Sequence, residues 1–223
     1  MQEENLLVNN QVKVHGRVIS DLVFSHEVYG ESFYNLSLDI VRLSEIKDVL
    51  PVTISERLID KDSLKIGTIV YIEGQIRSYN NYMESESKNR LILTIFARDV
   101  EILEEENKSI NPNEVILNGF ICKKPIYRTT PFGREIADIL IAVNRAYNKS
   151  DYIPCIAWGR NARYSSKFSV GDNIRVFGRM QSRSYQKKLE NDETIEKIAY
   201  EISISKVEVI SKDEPKKEED VQD

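Results

Sequence analysis

A chain of 223 residues, 30% charged and 41% hydrophobic, suits two globular domains of about 100 residues, each large enough to bury a core of its own. No run of roughly 18 apolar residues occurs, which argues against a transmembrane helix, and the opening "MQEENLLVNN" has neither the basic flank nor the apolar centre of a signal peptide. The net charge of −5 would argue against a polyanion partner if it were spread evenly.

It is not spread evenly, and the chain is written twice. "NQVKVHGRV" at residue 10 returns as "NEVILNGFI" at residue 113, and Gly30, Arg42, Asp48, Pro51 and Arg57 fall on Gly133, Arg145, Asp151, Pro154 and Arg160. After a one-residue slip, Gly67 and Gly74 fall on Gly171 and Gly178, and a further small gap brings Arg77-Ser78-Tyr79 onto Arg183-Ser184-Tyr185. The division is a first domain at 10–104, a linker at 105–112, a second domain at 113–210 and a tail at 211–223. Residues 10–104 hold 11 Lys and Arg against 15 Asp and Glu, residues 111–210 hold 16 against 11, and the tail holds 3 against 6. The second domain is basic; the first domain and the tail are acidic.

Each copy reads as five strands and one short helix. In the second copy the strands fall near 114–122, 134–145, 151–158, 172–185 and 195–210, and "GRNARYSSKFSVG" supplies a short helix between the third and fourth. Three strands, a helix and two strands is the order of the oligonucleotide-binding (OB) barrel. The expected fold is therefore all-β with short helices, as two tandem five-stranded OB barrels; an SH3-like barrel or a small sandwich is the competing architecture.

The third strand separates core from surface. In "DYIPCIAWGR", Ile153, Cys155 and Ala157 match Leu50, Val52 and Ile54 of the first copy, an apolar face that suits the barrel interior. The opposite face holds Tyr152, Pro154, Ile156 and Trp158, where the first copy has Val49, Pro51, Thr53 and Ser55. The aromatics are thus something only the second copy carries. On the fourth strand, Arg175, Phe177, Arg179, Gln181, Arg183 and Tyr185 share one face, and Tyr71, Glu73 and Gln75 stand where Arg175, Phe177 and Arg179 do. Arginines interleaved with aromatics suit single-stranded nucleic acid, since each base can stack on a ring while guanidiniums meet phosphates. Lys123, Lys124, Arg128, Arg134, Arg145, Lys149, Arg160 and Arg163 extend the cationic track. RNA would satisfy the same physics.

Catalysis finds no support. Phosphate-loop, nucleophile-elbow and metalloprotease motifs are missing from the sequence, and two histidines, His15 and His26, are too few for a metal cluster. His15 reads as a surface or turn residue. Cys122 and Cys155 stand 33 apart without a CxxC pattern and read as reduced thiols of a cytoplasmic protein.

The second copy, from "NEVILNGFICKKPIYRTTPFGREIADILIAVNRAY" through "DYIPCIAWGRNARYSSKFSVGDNIRVFGRMQSRSY" to "YEISISKVEVI", resembles the bacterial single-stranded-DNA-binding protein (SSB) family; the first resembles a diverged version of it. The resemblance implies sequence-independent binding of single-stranded DNA in replication, recombination and repair, without a cofactor. It places four aromatic positions on Tyr147, Tyr152, Trp158 and Tyr185; in the first copy these hold Ser44, Val49, Ser55 and Tyr79. Expected contact residues are therefore these four with Arg145, Arg160, Arg175, Arg179, Arg183, Lys124, Arg128 and, from the first copy, Tyr79. Since the family acts with four OB domains, it further implies a homodimer, with the first domain serving assembly or weak binding. The family's acidic tail recruits replication and repair proteins through a terminal aromatic, whereas this tail ends in Gln222-Asp223. The rival reading is a degenerate relative that acts through protein contacts.

Overall fold

In the computed structural model, residues 9–42, 44–83, 88–105, 111–188 and 194–211 are described. The greater part of the expected linker and nearly all of the acidic tail lie outside them. In chain order the elements are β1 (Asn10–Val18), β2 (Val23–Val28), β3 (Glu31–Val41), β4 (Lys47–Ser55), β5 (Ile69–Met83), β6 (Lys88–Leu103), β7 (Asn113–Ile121), β8 (Ile126–Thr129), β9 (Glu135–Asn144), β10 (Ser150–Trp158), α1 (Arg160–Ser165), β11 (Asn173–Lys188) and β12 (Thr194–Ser211).

Alternation along each strand turns one apolar row inward. Val12, Leu38, Leu50, Ile72 and Ile95 fill the first barrel, and Val115, Ile141, Ile153, Val176 and Ile202 the second. β1, β3, β4, β6 and β5 close one ring; β7, β9, β10, β12 and β11 close the other. Each closure uses a two-residue parallel ladder, Val52↔Ile95 with Thr53↔Phe96, and Cys155↔Ile202 with Ile156↔Ser203. Both ladders begin one residue after a proline, Pro51 or Pro154, which has no N–H to donate. Gly74 and Gly178 lie beside the matching β-bulges, where a Cβ would sit 2.3 Å from the Phe96 carbonyl oxygen and 2.2 Å from that of Ser203. These are OB barrels.

Three local expectations change. Each barrel has a sixth strand, β2 or β8, which hairpins onto its neighbour; the short "IYRT" gives almost no periodic signal. The expected helix of the first copy is a series of turns. Asp60 there accepts hydrogen bonds from the Asp62 N–H (3.2 Å) and the Ser63 hydroxyl (3.0 Å), local bonds that compete with helix formation. Buried Leu64 still plugs that end of the barrel, as buried Phe168 does after α1 in the second. His15 is buried rather than superficial.

The barrels are joined by their first strands. β1 pairs antiparallel with β7 about Val12↔Val115, two residues that are each other's counterpart in the duplication. The join is therefore self-complementary, like the contact of a twofold dimer. The Asn10 side-chain amide clamps the Ile76 backbone with two 2.8 Å bonds, and Asn113 clamps Met180 with bonds of 2.7 and 3.0 Å. Buried Asp48 accepts the Ser182 N–H (2.9 Å) from the other barrel and two 2.6 Å bonds from Arg42. Buried Asp151 reciprocally accepts the Ser78 N–H (2.7 Å) and lies 3.1 Å from Arg77 and 3.5 Å from Arg145. The hydroxyls complete the exchange: Ser182 accepts from the Val49 N–H (3.1 Å) and Ser78 from the Tyr152 N–H (2.7 Å).

This geometry corrects the repeat alignment. Ser78 and Ser182 make the same contacts, so no gap follows Gly74 and Gly178. The counterpart of Tyr79 is Arg183, and that of Tyr185 is Asn81.

Because Asp151 is fully buried between two arginines and a backbone donor, Asp151→Ala leaves both cations uncompensated. It should cost about 3–5 kcal/mol and lower the melting temperature by roughly 10 °C; a calorimetric change under about 1 kcal/mol would mean the seam does not stabilise the fold.

Candidate nucleic-acid interface

The outer face of the second barrel is built from β8 to β12. β10 carries Tyr152 and Trp158, 48% and 38% exposed, at opposite ends of one face. Six residues of extended chain separate them by about 20 Å. Between them Ile156 is buried at 4%, so the sequence-level picture of four surface residues in a row reduces to two rings with a covered centre. Tyr147 lies in the turn before β10, almost wholly exposed, with φ of 59°. A bulky residue in the left-handed region is strained, and the ring here is open to solvent. Tyr185, 37% exposed, lies on the far end of β11.

β11 presents the arginines as the alternation predicts, with Ile174, Val176 and Met180 fully buried on its other face. Arg183 stacks its guanidinium 5.9 Å from the Tyr185 ring centre and pairs at 3.4 Å with Glu201. Gln181 also donates to Glu201, at 2.9 Å, so an almost buried carboxylate sits inside the cationic row. Burial first, and then the positive charge of Arg42, holds the Arg179 guanidinium below the usual arginine range. Arg175 lies at the opposite end of β11, across from Asn118 on β7.

The remaining sequence-predicted cations scatter. Arg128 is exposed on β8 and held by Asp138 at 2.8 and 3.3 Å; the bond to Asp138 raises its affinity for the proton. Arg145 is turned to buried Asp151 in the seam rather than to the face. Lys124 is exposed between β7 and β8, and Arg160 opens α1, also exposed. Tyr79, 49% exposed, follows Ser78, whose hydroxyl binds the Tyr152 backbone. Tyr79 thus follows directly on a seam contact, with its side chain on the opposite face of β5 from Ser78.

One groove of 590 Å³ runs from Trp158 and Arg134 across Arg179 and Arg183 to Arg42 and Ile46 of the first barrel. Beside it a 330 Å³ hollow shares Arg42, Arg179 and Ser203. Arg42 was missed at the sequence level because, read alone, it is one more charged residue after a strand.

The matching face of the first barrel is filled by its own side chains. Phe96 replaces Ser203, and Phe33 replaces Ile136. Phe33 stacks on His26 (4.9 Å) and contacts Phe96 (5.6 Å), while Arg77 and Arg98 lie 5.8 and 5.7 Å from the Phe96 ring centre. Among the described residues no cluster of His, Cys, Asp and Glu could hold a metal ion. No described helix is long and apolar enough to cross a membrane.

The profile of the Single-strand binding protein family matches residues 112–210. Single-stranded DNA-binding protein B of Bacillus subtilis is 33% identical over 81 residues, which cover 33% of this chain and 72% of that protein. The chain belongs to the single-strand binding protein family. Single-stranded DNA-binding protein 1 of Staphylococcus aureus is 38% identical over 81 residues; the match covers 33% of this chain and about half, 48%, of that relative. The wild-type single-stranded DNA binding protein of Thermus aquaticus superposes with a TM-score of 0.70 at 20% identity, over 92% of this chain and 95% of that one. That likeness extends the shared fold to both barrels. Family membership rests on the second copy, and the fold is shared by both.

If Trp158 is a platform residue rather than core, Trp158→Ala should lower unfolding free energy by about 1 kcal/mol or less, against about 3–5 kcal/mol for a buried tryptophan. Urea denaturation measures it; a loss above about 3 kcal/mol would return Trp158 to the core.

Proposed function

We propose that this chain binds single-stranded DNA without sequence preference and protects it during replication, recombination and repair, with the second barrel making most of the contact. The carrying observation is that Tyr147, Tyr152, Trp158 and Tyr185 are all exposed on the second barrel, with Trp158 lining one groove with Arg179 and Arg183 and Tyr185 stacked by Arg183. Their first-barrel counterparts are Ser44, Val49, Ser55 and Asn81. Stacking contributes about 1–3 kcal/mol per base and ignores base identity, which an extended, largely pre-formed platform exploits. Lys124, Arg128, Arg160 and Arg175 would serve phosphates along its margins, while Arg145 acts chiefly by neutralising Asp151. Membership in the family supports this reading. The action is physical coating, with neither catalysis nor a cofactor.

The first barrel assembles and positions, adding Tyr79 at the edge of the platform. Two barrels per chain fit a homodimer of four, in the cytoplasm and associated with the nucleoid.

Poly-dT should quench the fluorescence of Trp158, the single tryptophan, and added salt should weaken binding with a slope of about −0.7 per phosphate contacted. Folded protein that shows no quenching at low salt would overturn the stacking role. Trp158→Ala with Tyr185→Ala should weaken binding far more than Tyr79→Ala, and equal losses would refute the division of labour. For assembly, sedimentation should give about twice the 25.8 kDa chain mass; a stable monomer would rule out the four-barrel particle.

A further inference from the structure

We propose that the first barrel completes the second barrel's DNA groove across the seam, with Arg42 and Arg179 together binding one backbone phosphate. The inference rests on single-strand binding as the function and adds a site to it. It starts from an unmet hydrogen-bond donor. Among the described residues the buried Arg179 Nε–H has no partner, and the guanidinium's bond to Gln181 is long at 3.4 Å. A buried donor on a cation is costly to leave unmade. Arg179 nevertheless lines both the 590 Å³ groove and the 330 Å³ hollow, so there is room beside it for an anion.

Arg42 lines the same two spaces from the other barrel. Its Nε and one terminal nitrogen are held by Asp48 at 2.6 Å, which fixes the plane of the guanidinium and leaves its remaining donors for another acceptor. Asp48 is itself anchored to Ser182 of the second barrel, so Arg42 is located by the seam and does not sample freely. Two guanidiniums close enough for the charge of one to depress proton binding at the other favour an anion between them. Trp158 lines the larger groove too, so a base stacked there would carry its backbone toward this pair. The pseudo-symmetric groove lacks the device: Gln75 stands for Arg179, Glu31 for Arg134, Tyr79 for Arg183 and Phe96 for Ser203.

Arg42→Gln would also strip buried Asp48 of its cation, so the cleaner handle is Ile46, which is 55% exposed on the same rim. With oligo-dT as probe, Ile46→Lys should steepen the salt dependence by about 0.7 and tighten binding roughly fivefold near 50 mM salt, and Ile46→Glu should do the reverse. Asp62→Lys, in the β4–β5 turn outside the groove lining, changes net charge more and should leave the slope alone. If the Ile46 variants match the parent while Trp158→Ala abolishes binding, the seam site is wrong and the function stands. If the parent itself does not bind oligo-dT, the function fails first. Equal slope changes from Asp62→Lys would show a diffuse field and overturn the site. So would inorganic phosphate binding that responds to the Ile46 variants while oligo-dT binding does not.

Discussion

The β1–β7 pairing, locked by two buried aspartates, fixes what everything else in the molecule can do. Strand pairing alone would leave the barrels free to slip by two residues, since that preserves the faces. Asp48 and Asp151 remove the freedom, because each accepts a specific backbone N–H from the opposite barrel and is charge-compensated by an arginine of its own hairpin. Such carboxylates stabilise only when fully partnered, and here both are. Their placement makes β11 pass over β4 and β5 pass over β10, so each barrel's longest hairpin is braced by the other.

A symmetric frame carries an asymmetric surface. The positions that hold the frame, Asn10 and Asn113, Asp48 and Asp151, Ser78 and Ser182, are identical in the two copies, because both ends of a self-complementary contact face the same requirement. The positions facing outward diverge in a coordinated way. Trp158 needs space above β12 and finds Ser203; Ser55 leaves that space empty and Phe96 fills it. Where one barrel keeps an opening for a ring from outside, the other has supplied the ring from within.

Much of this was legible in the residues. Comparing two copies of one strand separated the interior row Ile153, Cys155 and Ala157 from Tyr152 and Trp158, because the interior must stay apolar in both while the surface need not. Expectation and structure part where side-chain partners, near or distant, override a local pattern. "ERLIDKDSLKIG" has the composition of a short helix, but Asp60 holds it in turns. Matching Tyr79 to Tyr185 followed the repeated letters Arg-Ser-Tyr; the true register follows Ser78 and Ser182, whose importance comes from a partner more than 70 residues away. His15 and Arg42 share this character, since nothing near them in sequence reveals that one is buried and the other faces a groove.

The acidic average of the chain ceases to be an objection on this geometry. At physiological ionic strength a charge is felt over about 8 Å. An anion in the groove therefore meets Arg42, Arg134, Arg179 and Arg183 at close range and most of the acidic residues hardly at all. Asp48, paired with Arg42 at 2.6 Å, and Glu201, placed among the other cations, are the exceptions, the one buried and the other nearly so. By holding Gln181 and Arg183, Glu201 keeps the row ordered, at the cost of part of its charge. The result is a concentrated attractive track on a chain whose acidic excess lies in the first barrel and the tail; on the proposed function it favours a flexible single strand that can enter the groove over a stiff duplex that must lie along the whole surface.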